Sequence, residues 1–97
     1  MEKRPCVYIL ASRRNGTLYV GIVGDLARRA GEHRTGAAAG FTRDHGVHLL
    51  VFAEFHATMA DAVLREKRLK TSRRARKLEL IERQNPQWHD LYAELLA

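Results

Sequence analysis

The sequence has little cysteine and no long hydrophobic run. The single cysteine, Cys6, excludes an intramolecular disulfide and fits a reducing cytoplasm, where we expect the protein. No apolar stretch approaches the roughly 20 residues of a transmembrane helix, and the first residues do not resemble a signal peptide. The five histidines are too scattered for a compact zinc site. What remains is one globular domain of 97 residues with a modest core.

Basic residues are in excess and are concentrated in one segment. The net charge is +6 and the pI is about 10.1, which favours a polyanionic partner, although charge for solubility is the alternative. The segment from Arg65 to Lys77 is the densest part, and such a cluster is typical of phosphate contacts. Its basic residues are Arg65, Lys67, Arg68, Lys70, Arg73, Arg74, Arg76 and Lys77.

Apolar periodicity and turn residues predict an α+β chain in the order β-β-α-β-α-α. The strands are expected at about residues 6–12, 17–23 and 47–56, and the helices at about 26–35, 59–70 and 73–84. Asn85-Pro86 should end the last helix, and Trp88 should pack the tail onto the body.

The first two strands form a hairpin around Asn15-Gly16. A two-residue turn, the commonest outcome for this dipeptide, places Leu10 opposite Gly21 and both tyrosines, Tyr8 and Tyr19, on one face. Gly21 leaves a hollow between them, and the other face of the hairpin is wholly apolar.

Strict alternation is expected in the third strand, with one apolar and one mixed face. The apolar face should carry Val47, Leu49, Val51, Ala53 and Phe55, and the mixed face His48, Leu50, Phe52, Glu54 and His56.

Three charged or titratable side chains fall on helix faces that should point inward. Asp25 is a good N-cap, and Arg29 and His33 share the apolar stripe of the helix that follows it. Glu66 interrupts the apolar stripe of the next helix, where an unpaired carboxylate costs several kcal/mol. It is either half of a buried ion pair, for instance with Arg29, or a metal-binding or catalytic group.

These inward groups suit phosphodiester hydrolysis. An arginine holds the reacting phosphate, and a glutamate binds one Mg²⁺ or Mn²⁺ whose shell is completed by water and phosphate oxygen. A tyrosine or histidine accepts the proton of the attacking water, although a tyrosine with its usual pKa of about 10 is a poor base.

Four segments in this order and spacing resemble the GIY-YIG nuclease family, particularly its small stand-alone bacterial members. They are "CVYIL", "LYVG", "DLARRAGEH" and "LREKRLK". The resemblance implies a three-stranded antiparallel sheet flanked by helices and metal-dependent cleavage of DNA. It predicts a single domain over residues 1–97, with a core at about 6–83 and a C-terminal tail at 84–97.

The resemblance also assigns roles to individual residues. Tyr8 is a candidate general base, Tyr19 orients water or phosphate, and Arg29 is the electrophilic clamp. His33 is the alternative base, and Glu66 binds the metal. All five side chains, Tyr8, Tyr19, Arg29, His33 and Glu66, must then meet in one pocket over the mixed face of the sheet.

Further residues are expected to contact DNA, either double-stranded or branched. They are Gly21, Arg43, Lys67, Lys70, Arg73, Arg74 and Lys77. Ile22 stands near a position where some relatives carry a lysine, and the chain has no additional DNA-binding domain. The substrate is therefore expected to be selected by structure rather than sequence, as in repair or recombination. A homodimer would supply two active sites for a double-strand cut. The alternative is a nucleic-acid-binding module with an inactive site.

Overall fold

Three antiparallel strands form the centre of the molecule. The computed structural model describes residues 4–26, 28–29 and 46–96. The strands are β1 (Cys6–Ala11), β2 (Leu18–Val23) and β3 (Leu49–Phe55), and their order in the sheet is β2-β1-β3. The central strand β1 is buried throughout, whereas β2 and β3 are the edges. The α+β class and the positions of the strands agree with the sequence prediction.

Three helices follow the sheet in the described part of the chain: α1 (Met59–Thr71), α2 (Arg74–Gln84) and α3 (Leu91–Leu96). Thr58 caps α1, since its Oγ1 accepts the Asp61 N–H at 3.2 Å. The helix expected at about 26–35 begins where predicted, with the Arg28 N–H 3.3 Å from Asp25 Oδ1, but most of it lies outside the described residues. None of the helices in the described residues has the length and apolar content needed to cross a membrane.

The hairpin turn is longer than expected, and the predicted register is wrong by two residues. Tyr8 lies opposite Gly21, and Leu10 lies opposite Tyr19. Ser12 explains the difference, because its N–H donates to the Thr17 carbonyl at 3.0 Å and its Oγ accepts the Thr17 N–H at 3.0 Å. Ser12 and Thr17 therefore close a four-residue loop. A shift of two keeps every side chain on its predicted face.

A β-bulge at Val51 changes the faces of β3. Ile9 pairs with Phe52, whereas Leu10 pairs with Leu50. The extra residue reverses the alternation, so the predicted faces are wrong from Phe52 onward. Val47, also expected on the apolar face, precedes β3 and packs with Tyr8 and Leu10 instead. Phe52 and Glu54 join the apolar side, and Ala53 and Phe55 move to the side that carries the tyrosines.

Each face of the sheet has its own cover. The apolar face, defined by Val7, Ile9 and Val20, packs against α1, α2 and the buried Trp88. The tyrosine face, defined by Tyr8, Leu10 and Tyr19, packs against Leu26 and α3. The position of Trp88 in the core confirms the packing role expected for it.

Candidate active site

Tyr8 and Gly21 fit one another across the hairpin. The two residues are directly paired, and a Cβ built on Gly21 would collide with Cζ and Oη of Tyr8 and lie 2.8 Å from its Cε1. The hollow predicted at Gly21 is therefore filled by the Tyr8 ring, which is only 2% exposed. The Tyr19 ring lies beside it, with 6.5 Å between the ring centroids and 41° between the planes.

Arg29 reaches the tyrosines from the helical turn that Asp25 caps. Its guanidinium donates a hydrogen bond to the Tyr8 hydroxyl. Burial raises the pKa of Tyr8, and the Arg29 hydrogen bond opposes that rise without cancelling it. Tyr8 therefore keeps its proton at neutral pH and acts as a hydrogen-bonding phenol rather than as an ionised base.

A cavity of about 470 Å³, the helix-start cavity, opens where β2 meets this helical turn. Its described lining residues are Ile22, Val23, Gly24, Asp25, Arg28 and Arg29. Two arginine side chains at the start of a helix give this cavity a positive charge that suits an anion. Arg28, which the sequence analysis did not single out, shares this cavity with Arg29. The pair of arginines that follows the N-cap was the available signal.

Glu66 approaches from the opposite side of the sheet. It lies on α1 between Ala62 and Leu69, which are both buried against the apolar face, and its own side chain is 16% exposed. The expected meeting of Glu66 with the tyrosines and Arg29 in one pocket stays a prediction. The ion pair that the structure records for this carboxylate is with Lys70, at 3.4 Å from Nζ to Oε2, rather than with Arg29.

Because β2 is an edge strand, residues from both faces of the sheet line one cavity there. A second cavity of about 370 Å³, the edge cavity, is lined by Tyr19 from the tyrosine face and by Leu18 and Val20 from the apolar face. Lys70 and Lys77 complete its described lining. Lys70, the partner of Glu66, thus shares a cavity with Tyr19.

The carboxylate of Glu66 is a ligand of the kind that a hard divalent cation binds. No cluster of three or more metal-binding side chains occurs in the described ranges. Mg²⁺ does not need one, because one or two carboxylates together with water and substrate phosphate commonly complete its shell. Glu66 is half-buried and accepts one cation already, the Lys70 ammonium.

The predicted DNA contacts differ in their surroundings. Lys67, Lys70 and Arg73 are exposed, whereas Gly21 is buried beneath Tyr8. Arg74 donates from Nη2 to the carbonyls of Asn15 and Gly16 at 2.8 and 2.6 Å, so this group is engaged within the fold. His33 and Arg43 lie outside the described residues. The roles of all these residues stay predictions.

Comparison with known proteins identifies the family. A model of the GIY-YIG catalytic domain matches residues 4–79. The chain is 35% identical to UPF0213 protein SSP2268 of Staphylococcus saprophyticus over 75 residues, which are 77% of this chain and 90% of that protein. It is 36% identical to a UPF0213 protein of Staphylococcus aureus strain Mu3 over 76 residues, which are 78% of this chain and 92% of that protein.

A solved structure shares the fold. The solution NMR structure of UPF0213 protein BH0048 from Bacillus halodurans matches with a TM-score of 0.56 and 28% sequence identity. The match covers 89% of this chain and 90% of that chain. With the catalytic-domain model spanning most of its length, the chain belongs to the GIY-YIG family.

Proposed function

We propose that the chain is a metal-dependent endonuclease that hydrolyses DNA phosphodiester bonds. The observation that carries the proposal is the contact of Arg29 with Tyr8, beside Tyr19, at the strand edge where Lys70 and Glu66 arrive from the other face. A purely structural hairpin has no need of a buried phenol held by a guanidinium. Membership of a nuclease family supports the same reaction class.

Arg29 is the phosphate clamp in this proposal. A guanidinium donates two parallel hydrogen bonds to phosphate oxygens and offsets the charge that develops on them. Its contact with the rigidly packed Tyr8 restricts the guanidinium before substrate binds, which reduces the entropy lost on binding. Arg28 adds a second positive charge to the same cavity.

Tyr8 donates a hydrogen bond in the reaction, and His33 is the preferred proton acceptor. The raised pKa of Tyr8 keeps its hydroxyl protonated near pH 7, so very little phenolate is present to accept a proton, whereas the ordinary pKa of a histidine lies in that range. Tyr19 orients water or phosphate at the edge cavity. Glu66 holds the divalent ion, which supplies positive charge to the phosphate when bound.

The alternative function is a nucleic-acid-binding module with an inactive site. The Glu66–Lys70 ion pair is the observation in its favour, because a carboxylate retained as the partner of a lysine does not require a metal. The two functions share the basic surface and differ only in whether the bound phosphate is hydrolysed.

A cleavage assay separates the two functions. Supercoiled plasmid, nicked duplex and branched DNA are incubated with Mg²⁺ or Mn²⁺ and the wild type, Glu66→Gln or Arg29→Gln. Glu79→Gln and Arg83→Gln are the matched controls, since both residues are exposed on α2. We expect metal-dependent cutting that is lost in Glu66→Gln and Arg29→Gln and retained in the controls. We also expect branched DNA to be cut faster than the other substrates.

Salt-sensitive binding without cutting by any variant would instead support the binding module. Stronger competition by RNA than by DNA would contradict the proposed substrate.

A further inference from the structure

The hairpin turn is attached to the beginning of α2. Arg74 donates to the carbonyls of Asn15 and Gly16, which are 59 and 58 residues away along the chain. The turn is also tight, since Asn15 has a φ of 58° and a Cβ on Gly16 would lie 2.8 Å from Arg13 Cγ. The side-chain stem of Arg13 therefore crosses over Gly16, next to the carbonyl that Arg74 holds.

This attachment brings basic residues from two distant segments together. Arg13 and Arg14 lie on the turn, and Arg73 precedes Arg74 at the beginning of α2. All three side chains belong to exposed residues. We call Arg13, Arg14 and Arg73 the tip cluster.

The tip cluster carries three positive charges without an ion pair among the described residues, whereas several other basic residues are paired. Arg65 pairs with Glu54, Lys70 pairs with Glu66, and Arg76 and Arg83 both pair with Glu79. No carboxylate in the described ranges forms an ion pair with a member of the tip cluster. The positive charge of the tip cluster is therefore available to an anionic partner.

We propose that the tip cluster binds the backbone of duplex DNA beside the reacting phosphate, and that Arg74 positions the cluster without itself contacting DNA. The proposal rests on the proposed function. The strand β2 runs from the turn to the helix-start cavity over six residues, which is about 20 Å. A rise of about 3.4 Å per base pair makes this distance about six base pairs. One surface along β2 thus holds the reacting phosphate at one end and the flanking duplex at the other.

The test measures binding of a fluorescent duplex without metal over a range of salt concentrations. Each phosphate contact contributes about 0.9 to the slope of log affinity against log salt. We expect Arg13→Gln/Arg14→Gln to lower the magnitude of this slope by about 1.8 if both arginines contact phosphates. The control is Arg76→Gln/Arg83→Gln, which changes the net charge equally but removes two arginines that both pair with Glu79. Its slope should change much less.

Arg74→Lys tests the positioning role separately. Lysine keeps the charge but lacks the fork of donors that holds two carbonyls. A slope that falls in Arg74→Lys supports a positioning residue, whereas an unchanged slope and affinity would mean that charge alone is needed there. Far-UV circular dichroism should show the native fold in all variants, because the substituted residues are exposed.

Equal slopes in the tip variant and the charge-matched control would overturn the tip proposal. The endonuclease proposal would survive that result if the wild type still cuts DNA. Preference for an RNA duplex of the same sequence would contradict the assignment of the tip cluster to DNA.

Discussion

At the scale of single residues, Gly21 and Tyr8 show how one missing side chain shapes the candidate site. The Tyr8 ring occupies the space that a Cβ at position 21 would need, and this position leaves its hydroxyl in contact with Arg29. The phenol, the glycine and the arginine therefore depend on one another geometrically, although only the ring and the guanidinium carry chemistry.

Gly21→Ala should displace the Tyr8 ring and destabilise the fold. We expect a loss of about 1–3 kcal/mol in the free energy of unfolding, measured by urea denaturation, because the added methyl group overpacks a buried contact. Gly24→Ala is the matched control, since the nearest atom to its new Cβ is Met59 Cε at 3.9 Å. Equal stability of the two variants would contradict this account of Gly21.

Cys6 should make the fold sensitive to alkaline pH. Burial raises the pKa of its thiol to about 11, so the folded state holds the proton more tightly than the unfolded state does. Stability contributed by the neutral thiol is complete below the unfolded pKa of about 9 and is lost as pH rises toward 11. Tyr8, whose pKa is also raised, adds to this loss at higher pH.

The measurement is the urea midpoint between pH 8 and 10. One group contributes at most about 1.4 kcal/mol per pH unit to the decrease. Cys6→Ala should be less stable at pH 8, because the buried sulfur is lost, but its stability should decline less between pH 9 and 10. A parallel decline in the two proteins would rule out the thiol as the source.

At the scale of secondary structure, hydrogen bonds from side chains close the outer edge of β3. The outer edge of β3 is covered by polar side chains at the end of α2 and just beyond it. Gln84 bonds both the N–H and the carbonyl of Ala53, at 3.0 and 2.8 Å. Asn85 donates to the carbonyl of Val51 at 3.2 Å, and Asp90 accepts the Leu50 N–H at 3.2 Å. These contacts block further strand pairing along β3.

Asn85→Ala should destabilise this edge together with the tail. The side chain is 5% exposed, donates to the Val51 and His89 carbonyls, and accepts the His89 N–H at 3.0 Å. Its removal leaves buried polar groups without a partner, which costs about 1–3 kcal/mol each. Chemical denaturation followed by Trp88 fluorescence reports the change. Gln87→Ala, in an exposed part of the same turn, should have little effect, and an equal loss there would argue against the Asn85 contacts.

The bulge in β3 also decides how α1 is held. Because Val51 reverses the alternation, Glu54 lies on the side of α1, where its carboxylate accepts hydrogen bonds from Arg65 Nε and Nη2 at 2.9 and 3.3 Å. His56 lies 2.8 Å from the same carboxylate. Strict alternation would have placed Glu54 on the tyrosine face, away from Arg65.

At the scale of the whole molecule, the candidate site joins two faces of one sheet. Tyr8 and Tyr19 belong to one face, whereas Glu66 belongs to the helix that covers the other. Only an edge strand permits this arrangement, since side chains from both sides can converge around β2 without crossing a neighbouring strand.

We expect Glu66 to lower the free energy of unfolding but to be needed for DNA cleavage. Glu66→Leu places an apolar side chain between Ala62 and Leu69, and we expect the free energy of unfolding to rise by about 0.5–2 kcal/mol while cleavage of DNA is lost. The lost Lys70 ion pair offsets this gain by only about 0.3–0.5 kcal/mol. Urea denaturation and the plasmid assay measure the two effects. Glu79→Leu, at an exposed position, is the control.

A loss of stability in Glu66→Leu, or unchanged cleavage, would contradict the functional account of this carboxylate.

The amino-acid sequence determined the strands, the helices and the identities of the groups that carry chemistry. The helix caps at Thr58 and Asp25 and the side-chain alternation in β1 depend on residues only a few positions away. Such local effects are visible in the sequence. The ordered segments around Tyr8, Tyr19, Arg29 and Glu66 also identified the family correctly.

The tertiary structure alone decided how these elements meet. The hairpin register, the bulge at Val51 and the Lys70 partner of Glu66 each differ from the sequence-based expectation or one of its alternatives. So does the attachment of the turn by Arg74, which joins groups almost 60 residues apart. Periodicity records which side of an element is apolar, but a register or a long-range contact is selected by the packing energy of the whole chain, which no local pattern contains.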